Sequence, residues 1–219
     1  KKITVLENIN DDILWVGTDE GVLKINTNND IINRFDIFES TRKKNPNIIV
    51  HDIKILGDGQ IIAGTDHGLS IIDTVLNEFK NYETSFKVKH ILEHSSGSLI
   101  LGSELNGLHI LSKENRSKLF LQGILETDIY TFDQNNSNGI SSSKITKIIE
   151  DKSGDVWIGT DIGLNKFDKN QKNFKHYFVS DGLPSNYITS IESDENNNLW
   201  ISTKNGEKSS PPAAGRNFL

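Results

Sequence analysis

Several kinds of residue and segment are absent or scarce in this chain of 219 residues. It has no cysteine and no methionine, and it has only four prolines. The lack of cysteine excludes disulfides, thiolate zinc sites and cysteine nucleophiles, but it does not decide the compartment. The sequence also lacks a run of about 18 apolar residues, so we expect that this segment does not insert into a membrane.

Basic residues are outnumbered by acidic ones. The chain has 24 Lys and Arg against 30 Asp and Glu, which gives a formal net charge of -6. Proteins that bind nucleic acids present a basic surface to the phosphates. We therefore expect no nucleic-acid partner.

One short phrase is repeated along the chain. The sequence reads ILWVGTDEGV from Ile13, DVWIGTDIGL from Asp155 and NLWISTKNGE from Asn198. The Gly-Thr doublet or a close variant begins at residues 17, 64, 102, 159 and 202. These intervals lie near the roughly 40–50 residues of a four-stranded propeller blade. Aliphatic residues well before each doublet, and a Trp or Ile two positions before it, keep the same register in all five copies.

Each copy of the repeat predicts a small antiparallel sheet. Segments such as KITKIIE and VWIGT are short, rich in β-branched and aromatic residues, and separated by polar glycine turns. Such a sheet cannot bury both of its faces alone, whereas stacked sheets around an axis can. We predict an all-β fold, a partial β-propeller of four-stranded antiparallel blades. About four and a half blades are expected, at residues 1–40, 47–83, 87–134, 142–179 and 185–206.

The third copy contains an insertion. About ten extra residues near Lys113 to Thr127 separate its third and fourth strands. Either Tyr130 or Phe132 then corresponds to the aromatic residue found in the fourth strand of other copies. This places the insertion on one rim of the propeller, either as an interaction loop or as tolerated extra length.

The C-terminal segment does not continue the fifth copy. After Gly206 the chain reads EKSSPPAAGRNFL, and two consecutive prolines cannot lie in a central strand. We expect residues 207–219 to be a disordered or non-native tail. An incomplete ring leaves a blade face uncovered, so we expect the remaining propeller blades or a second copy, in a homodimer, to cover it.

Catalytic and metal-binding patterns are not evident. The six histidines have no metal-site spacing, and no GxSxG element is present. The segment EDKSGD at residues 150–155 is typical of a turn, and the recurrence of Trp15, Trp157 and Trp200 at one strand position indicates packing between blades. We expect no catalytic residue, no metal and no cofactor.

The segment from Ile145 to Ile191, ITKIIEDKSGDVWIGTDIGLNKFDKNQKNFKHYFVSDGLPSNYITSI, resembles the two-component regulator propeller repeat. The resemblance extends over residues 1–206 and is strongest in the fourth and fifth copies. It implies a fragment of a seven-bladed propeller, in the extracytoplasmic sensor of a hybrid histidine kinase of the Bacteroidetes type. It further implies a periplasmic, non-catalytic module that recognises an oligosaccharide.

The candidate ligand-binding residues lie where the repeat varies. In a propeller with the usual strand order, the turns between second and third strands share one rim with the links between blades. We expect the oligosaccharide to bind this rim or a junction with another domain. The candidates are Asp19, Glu20, Asp66, His67, Glu104, Asn106, Asp161 and Lys204 in the turns, and Arg42, Lys43, Asp181 and Tyr187 in the links.

Two other functions remain open at this point. One is a propeller lyase or hydrolase of the streptogramin-lyase kind, which needs a His and Glu cluster with a divalent metal. The other is a protein-interaction scaffold.

Overall fold

The computed structural model describes residues 2–10, 12–29, 31–35, 48–74 and 78–204. Arg42, Lys43 and the expected tail at 207–219 lie outside the described residues. The chain divides into two compact units, Lys1–Glu93 and His94–Leu219.

The first unit contains two complete antiparallel sheets. Strands β1 (Ile3–Asn10), β2 (Ile13–Thr18), β3 (Gly21–Asn26) and β4 (Ile31–Phe35) are hydrogen-bonded in chain order. Strands β5 (Val50–Ile55), β6 (Ile61–Thr65), β7 (Gly68–Asp73) and β8 (Glu78–Glu83) repeat this arrangement. Strand β9 (Val88–Glu93) ends the unit.

The second unit begins with strands β10 (Leu99–Ser103) and β11 (Leu108–Leu111), helix α1 (Lys113–Gln122) and strand β12 (Asp128–Tyr130). A four-stranded sheet follows, with β13 (Ile145–Glu150), β14 (Val156–Thr160), β15 (Gly163–Asp168) and β16 (Asn173–Tyr177) in chain order. After a 3-10 turn at Val179–Asp181, strands β17 (Ile188–Ser193) and β18 (Leu199–Thr203) form a two-stranded sheet. The prediction of an all-β fold of four-stranded propeller blades is confirmed.

The Gly-Thr doublet has a structural role in both units. The Thr160 hydroxyl donates to the carbonyl of Gly163 at 2.9 Å and accepts from the amide of Ile162 at 3.1 Å, which closes the turn between β14 and β15. Thr18 and Thr65 close the corresponding turns of the first unit in the same way. A Cβ atom added at Gly159 would lie 2.7 Å from Cγ2 of Ile188, so only glycine lets β17 approach so closely.

Two of the three tryptophans form the cores between successive blades. Trp15 of β2 packs in one cluster with Val50 and Ile53 of β5, and Trp157 of β14 packs with Ile188 of β17 in another. The expected packing role is therefore confirmed for Trp15 and Trp157. Trp200, at the same position of β18, is 48% exposed.

The insertion in the third copy contains a helix that was not expected. The Ser112 side chain accepts the amide hydrogen of Asn115 at the start of α1, and Gly123 ends the helix in the left-handed conformation. Leu108 pairs with Tyr130, as Leu164 pairs with Tyr177, so Tyr130 and not Phe132 is the fourth-strand counterpart. None of the helices formed by the described residues is long and apolar enough to cross a bilayer.

Candidate functional site

Antiparallel pairing brings each turn between second and third strands next to the link that precedes its sheet. The start of the first strand pairs with the end of the second, as in Ile145 with Thr160 and Ile188 with Thr203. The amide of Lys204 accordingly donates to the carbonyl of Tyr187 at 3.0 Å. The amide of Asp66 donates to the carbonyl of Ile49 at 3.2 Å. Within each unit, turns and links therefore lie on one rim.

The aspartate that follows the doublet fastens the link to the turn. In the first unit, Oδ1 of Asp19 accepts from the Lys2 amide at 2.9 Å, and Oδ1 of Asp66 accepts from the Ile49 amide at 3.0 Å. In the second unit, Oδ1 of Asp161 accepts from the Ser142 hydroxyl at 2.7 Å. One oxygen of each of these three aspartates is thus engaged in the fold, a role that the sequence pattern did not reveal.

The other first-unit candidates flank these aspartates. The amides of Glu20 and His67 donate to the threonine hydroxyls that close the turns, both at 3.1 Å. Nε2 of His67 lies 3.9 Å from Oδ2 of Asp66. Both side chains are half-buried on the rim of the first unit.

The rim of the second unit is built around Tyr187. Nζ of Lys204 lies 5.2 Å from the centroid of the Tyr187 ring, and Nζ of Lys144 lies 5.4 Å from it. At these distances both ammonium groups interact with the ring by cation–π attraction. Lys144 was not among the predicted residues, although it directly follows the link at residues 135–143.

Two carboxylates belong to the same rim. The pKa of Lys144 is raised, first by its hydrogen bond to Tyr187 and by the charge of that side chain, and further by the nearby charges of Asp161 and Glu104. We call Glu104, Lys144, Asp161, Tyr187 and Lys204 the unit-2 rim. It combines two cations, two anions and an aromatic ring.

Exposed apolar side chains extend the unit-2 rim. Leu105 is 75% exposed beside Glu104, and Ile162 is 51% exposed beside Asp161. Polar groups that fix orientation and apolar groups that cover a ring face are the usual lining of a small-molecule site. The arrangement can therefore hold a hydroxyl-rich ring and balance an acidic substituent.

Asn106 and Asp181 make local contacts. The amide of Asn106 donates to the Ser103 hydroxyl at 2.7 Å, and its carbonyl lies 3.1 Å from Nε2 of His109. Burial lowers the pKa of His109. Oδ2 of Asp181 accepts from the Phe178 amide at 2.9 Å and holds the 3-10 turn.

Within the part of the chain that the structure describes, no group of three or more His, Asp or Glu side chains is arranged to hold a metal ion.

The repeat itself matches a known family. Residues 139–161 and 182–205 match the model of the family described as "two component regulator propeller". Two segments of the chain are therefore similar to two-component regulator propeller repeats. The resemblance expected from the sequence is confirmed, and the two matched segments contain Lys144, Asp161, Tyr187 and Lys204 of the unit-2 rim.

The regulator-propeller fold is shared with solved structures. The extracellular domain of a B. thetaiotaomicron protein assigned to a hybrid two-component system has a TM-score of 0.73 and 19% identity, over 92% of this chain and 28% of that one. A second structure, of an extracellular domain from that organism assigned to a one-component system, has a TM-score of 0.77 and 18% identity, over 99% of this chain and 30% of that one. The chain thus spans less than a third of the length of these domains.

The same fold is found in an enzyme. An ancestral GH74 enzyme has a TM-score of 0.66 and 16% identity, over 92% of this chain and 27% of that one. No curated protein matches this chain.

Proposed function

We propose that this chain is a non-catalytic, ligand-sensing propeller segment of an extracytoplasmic two-component receptor in the periplasm, and that its unit-2 rim binds an oligosaccharide. One observation carries the proposal. The two segments that match the regulator repeat place two lysines against one tyrosine ring, beside the Asp161 carboxylate.

The chemistry of the unit-2 rim suits a sugar with an acidic group. The Tyr187 ring and the exposed Ile162 can cover an apolar sugar face, and the carboxylates of Glu104 and Asp161 can accept hydroxyl hydrogens. The ammonium groups of Lys144 and Lys204 can pair with a sugar carboxylate or sulfate. A ligand that binds one receptor arrangement more tightly than another shifts their populations, and this is how binding would produce a signal.

Calorimetry against a panel of neutral and acidic glycan fragments tests the proposal. Lys204→Gln and Tyr187→Ala should each weaken binding of the best fragment by about tenfold, since each removes a charge-assisted or stacking contact. Lys80→Gln is a matched control, because Nζ of Lys80 lies 5.2 Å from the ring of Tyr82 in the first unit. Binding that is absent for every fragment, or equally weakened by the control, would refute the proposed site.

Catalysis and scaffolding give different results in the same experiment. We expect the bound fragment to be recovered intact, and the appearance of new reducing ends would indicate a hydrolase like the GH74 neighbour. Binding to a protein partner with no heat from any glycan would favour the scaffold.

The partner that we propose for each end of the blade array is another blade. In the first unit, Ile3 and Leu6 of β1 are 60% and 55% exposed, whereas Val50 and Ile53, their counterparts in β5, are fully buried. In the second unit, Trp200 is exposed, whereas its counterpart Trp157 is buried. The remaining propeller blades of the parent protein, or a second copy in a homodimer, would cover these faces.

A further inference from the structure

The second unit contains a cavity of about 640 Å³ at the end of the strands opposite to the unit-2 rim. Its lining includes Ile100 and Ile110 on one side and Lys166, Phe167, Lys169 and Lys175 on the other. Lys169 and Lys175 are exposed, so the cavity is open to solvent. Its volume lies within the roughly 300–1,000 Å³ typical of small-molecule sites.

The cavity lies where the repeat lacks an aromatic ring. Ile100 occupies the position of Trp157, and its cross-strand partner Ile110 occupies the position of Lys166. In the fourth blade, Nζ of Lys166 lies 5.5 Å from the Trp157 ring. The third blade thus replaces an indole and its covering ammonium group with two smaller aliphatic side chains.

A neighbouring substitution accompanies this change. Asp151 accepts the indole hydrogen of Trp157 at 2.8 Å, and the corresponding residue in the third copy is His94. His94 is buried, accepts the Ser96 amide on Nδ1 at 3.0 Å, and places Nε2 3.1 Å from the Gly154 carbonyl. The third copy therefore lacks both the ring and its acceptor.

The short outer strand also leaves this region uncovered. Strand β12 pairs with β11 only from Leu108 to Ile110, because the insertion occupies the chain before Asp128. In the fourth blade, the third and fourth strands pair as far as Asp168 and Asn173. Ile110 is thereby left half-buried in the cavity wall.

Three lysines and two aspartates line the cavity. Oδ1 of Asp168 accepts from the amides of Asn170 and Gln171, at 2.8 and 3.2 Å, in the turn after β15. Nζ of Lys166 is already paired with Oδ2 of Asp155 at 2.7 Å. Neither Lys169 nor Lys175 forms an ion pair with any residue that the structure describes, although Nζ of Lys175 lies 5.0 Å from the Tyr177 ring. Two ammonium groups without a carboxylate partner thus border an apolar gap shaped by Ile110 and Phe167.

We propose that this cavity binds a small aromatic carboxylate. The ring of the ligand takes the space of the missing indole, against Ile110 and Phe167, and its carboxylate pairs with Lys169 or Lys175. This site is separate from the unit-2 rim and does not depend on the oligosaccharide.

Titration with 3-phenylpropionate and with 3-phenylpropan-1-ol, followed by calorimetry and ligand-observed NMR, tests the charge requirement. The carboxylate should bind about threefold to fivefold more tightly than the alcohol, because pairing with an exposed ammonium group makes a modest contribution to affinity. Lys169 and Lys175 are both exposed, and the double variant Lys169→Gln and Lys175→Gln should abolish this preference. Equal binding of the two compounds, or a preference that survives the double substitution, would overturn the proposal.

Restoring the repeat residues tests the location. The double variant Ile100→Trp and His94→Asp should fill the cavity with an indole and supply its acceptor, so binding of 3-phenylpropionate should fall at least tenfold. If this variant does not fold, Ile110→Glu places a carboxylate in the cavity wall, which repels the ligand carboxylate and should have the same effect on binding. Undiminished binding in the folded variant, or no binding of 3-phenylpropionate to the native chain at millimolar concentration, would also overturn the proposal.

Discussion

At the scale of single residues, Trp157 and Asp151 explain two positions of the repeat. Both side chains are buried, and the indole donates to Oδ2 of Asp151 at 2.8 Å while Oδ1 accepts from the amides of Ser153 and Asp155. The aspartate thus joins the turn after the first strand to the inter-blade core. In the fifth copy, Asp194 and Trp200 form the same hydrogen bond, at 3.2 Å, with the indole exposed.

This internal duplicate gives a matched prediction. Trp157→Phe should lower the free energy of unfolding by about 2–3 kcal/mol, since it removes a hydrogen bond to a buried carboxylate and leaves a small cavity. Trp200→Phe should cost less than about 1 kcal/mol, because water can replace the indole there. Urea unfolding of the two variants measures the difference. An equal loss in the free energy of unfolding would show that the buried hydrogen bond is no more stabilising than the exposed one.

Asp52 of β5 is a half-buried carboxylate in the first unit. Burial raises its pKa to about 6, against the partial opposition of the hydrogen bond from the Ile91 amide and the charge of Lys54. Because the pKa in the folded state exceeds that in the unfolded state, the contribution of Asp52 to stability is complete below pH about 4 and is lost as pH rises through about 6. A pKa raised from 3.8 to about 6 corresponds to a loss of about 3 kcal/mol in the free energy of unfolding at neutral pH.

Asp52→Asn tests this dependence. The amide oxygen can still accept from Ile91, but the buried charge is gone, so the variant should be more stable than the native chain at pH 7 and closer to it at pH 4. Urea unfolding at both pH values gives the comparison. A stability difference that stays the same at the two pH values would contradict the shifted pKa.

At the scale of elements, the strands could be predicted from the repeat and helix α1 could not. The strands recur in register, and each copy supports the others. Helix α1 occurs in one copy only, and Arg116 and Leu119 are the buried residues of α1, too few to give a helical hydrophobic period. The signals that were available are its ends, Ser112 three residues before Asn115 and Gly123 after the last turn.

The candidate site shows the same division. The placement of the turns beside the links follows from strand order, so the rim was predictable. The engagement of Asp161 with Ser142 and of Lys144 with Tyr187 was not, because these contacts join residues whose spacing is set by the link conformation.

Leu119 should be the main apolar anchor of helix α1. Leu119 is fully buried and Leu121 is 83% exposed. Leu119→Ala should therefore lower the free energy of unfolding by about 2–4 kcal/mol, and Leu121→Ala by less than about 0.5 kcal/mol. Thermal unfolding of both variants distinguishes an anchored insertion from a loosely attached one, for which the two costs would be alike.

At the scale of the whole molecule, successive blades bury their apolar faces against each other. Trp15 packs on Val50 and Ile53 in the first unit, and Trp157 packs on Ile188 and Ile191 in the second. Every such junction joins the second strand of one blade to the first strand of the next. Ile3 and Leu6 lie in a first strand at positions that would contact the second strand of a preceding blade, and they are exposed. Trp200 lies in a second strand at the position that would contact the first strand of a following blade, and it is also exposed.

These exposed faces predict self-association of the chain in the absence of further blades. An exposed apolar blade face can be buried against an equivalent blade of a second copy, which stabilises an oligomer. Light scattering at micromolar concentration should therefore show a species larger than a monomer. Leu6→Glu and Trp200→Glu should each shift the chain toward the monomer, since a carboxylate in the junction would be desolvated without a partner. Ile129→Glu, at an exposed apolar position of β12 outside these faces, is the control and should leave the association unchanged. A chain that remains monomeric at this concentration, or that responds equally to all three substitutions, would mean that the end faces do not mediate association.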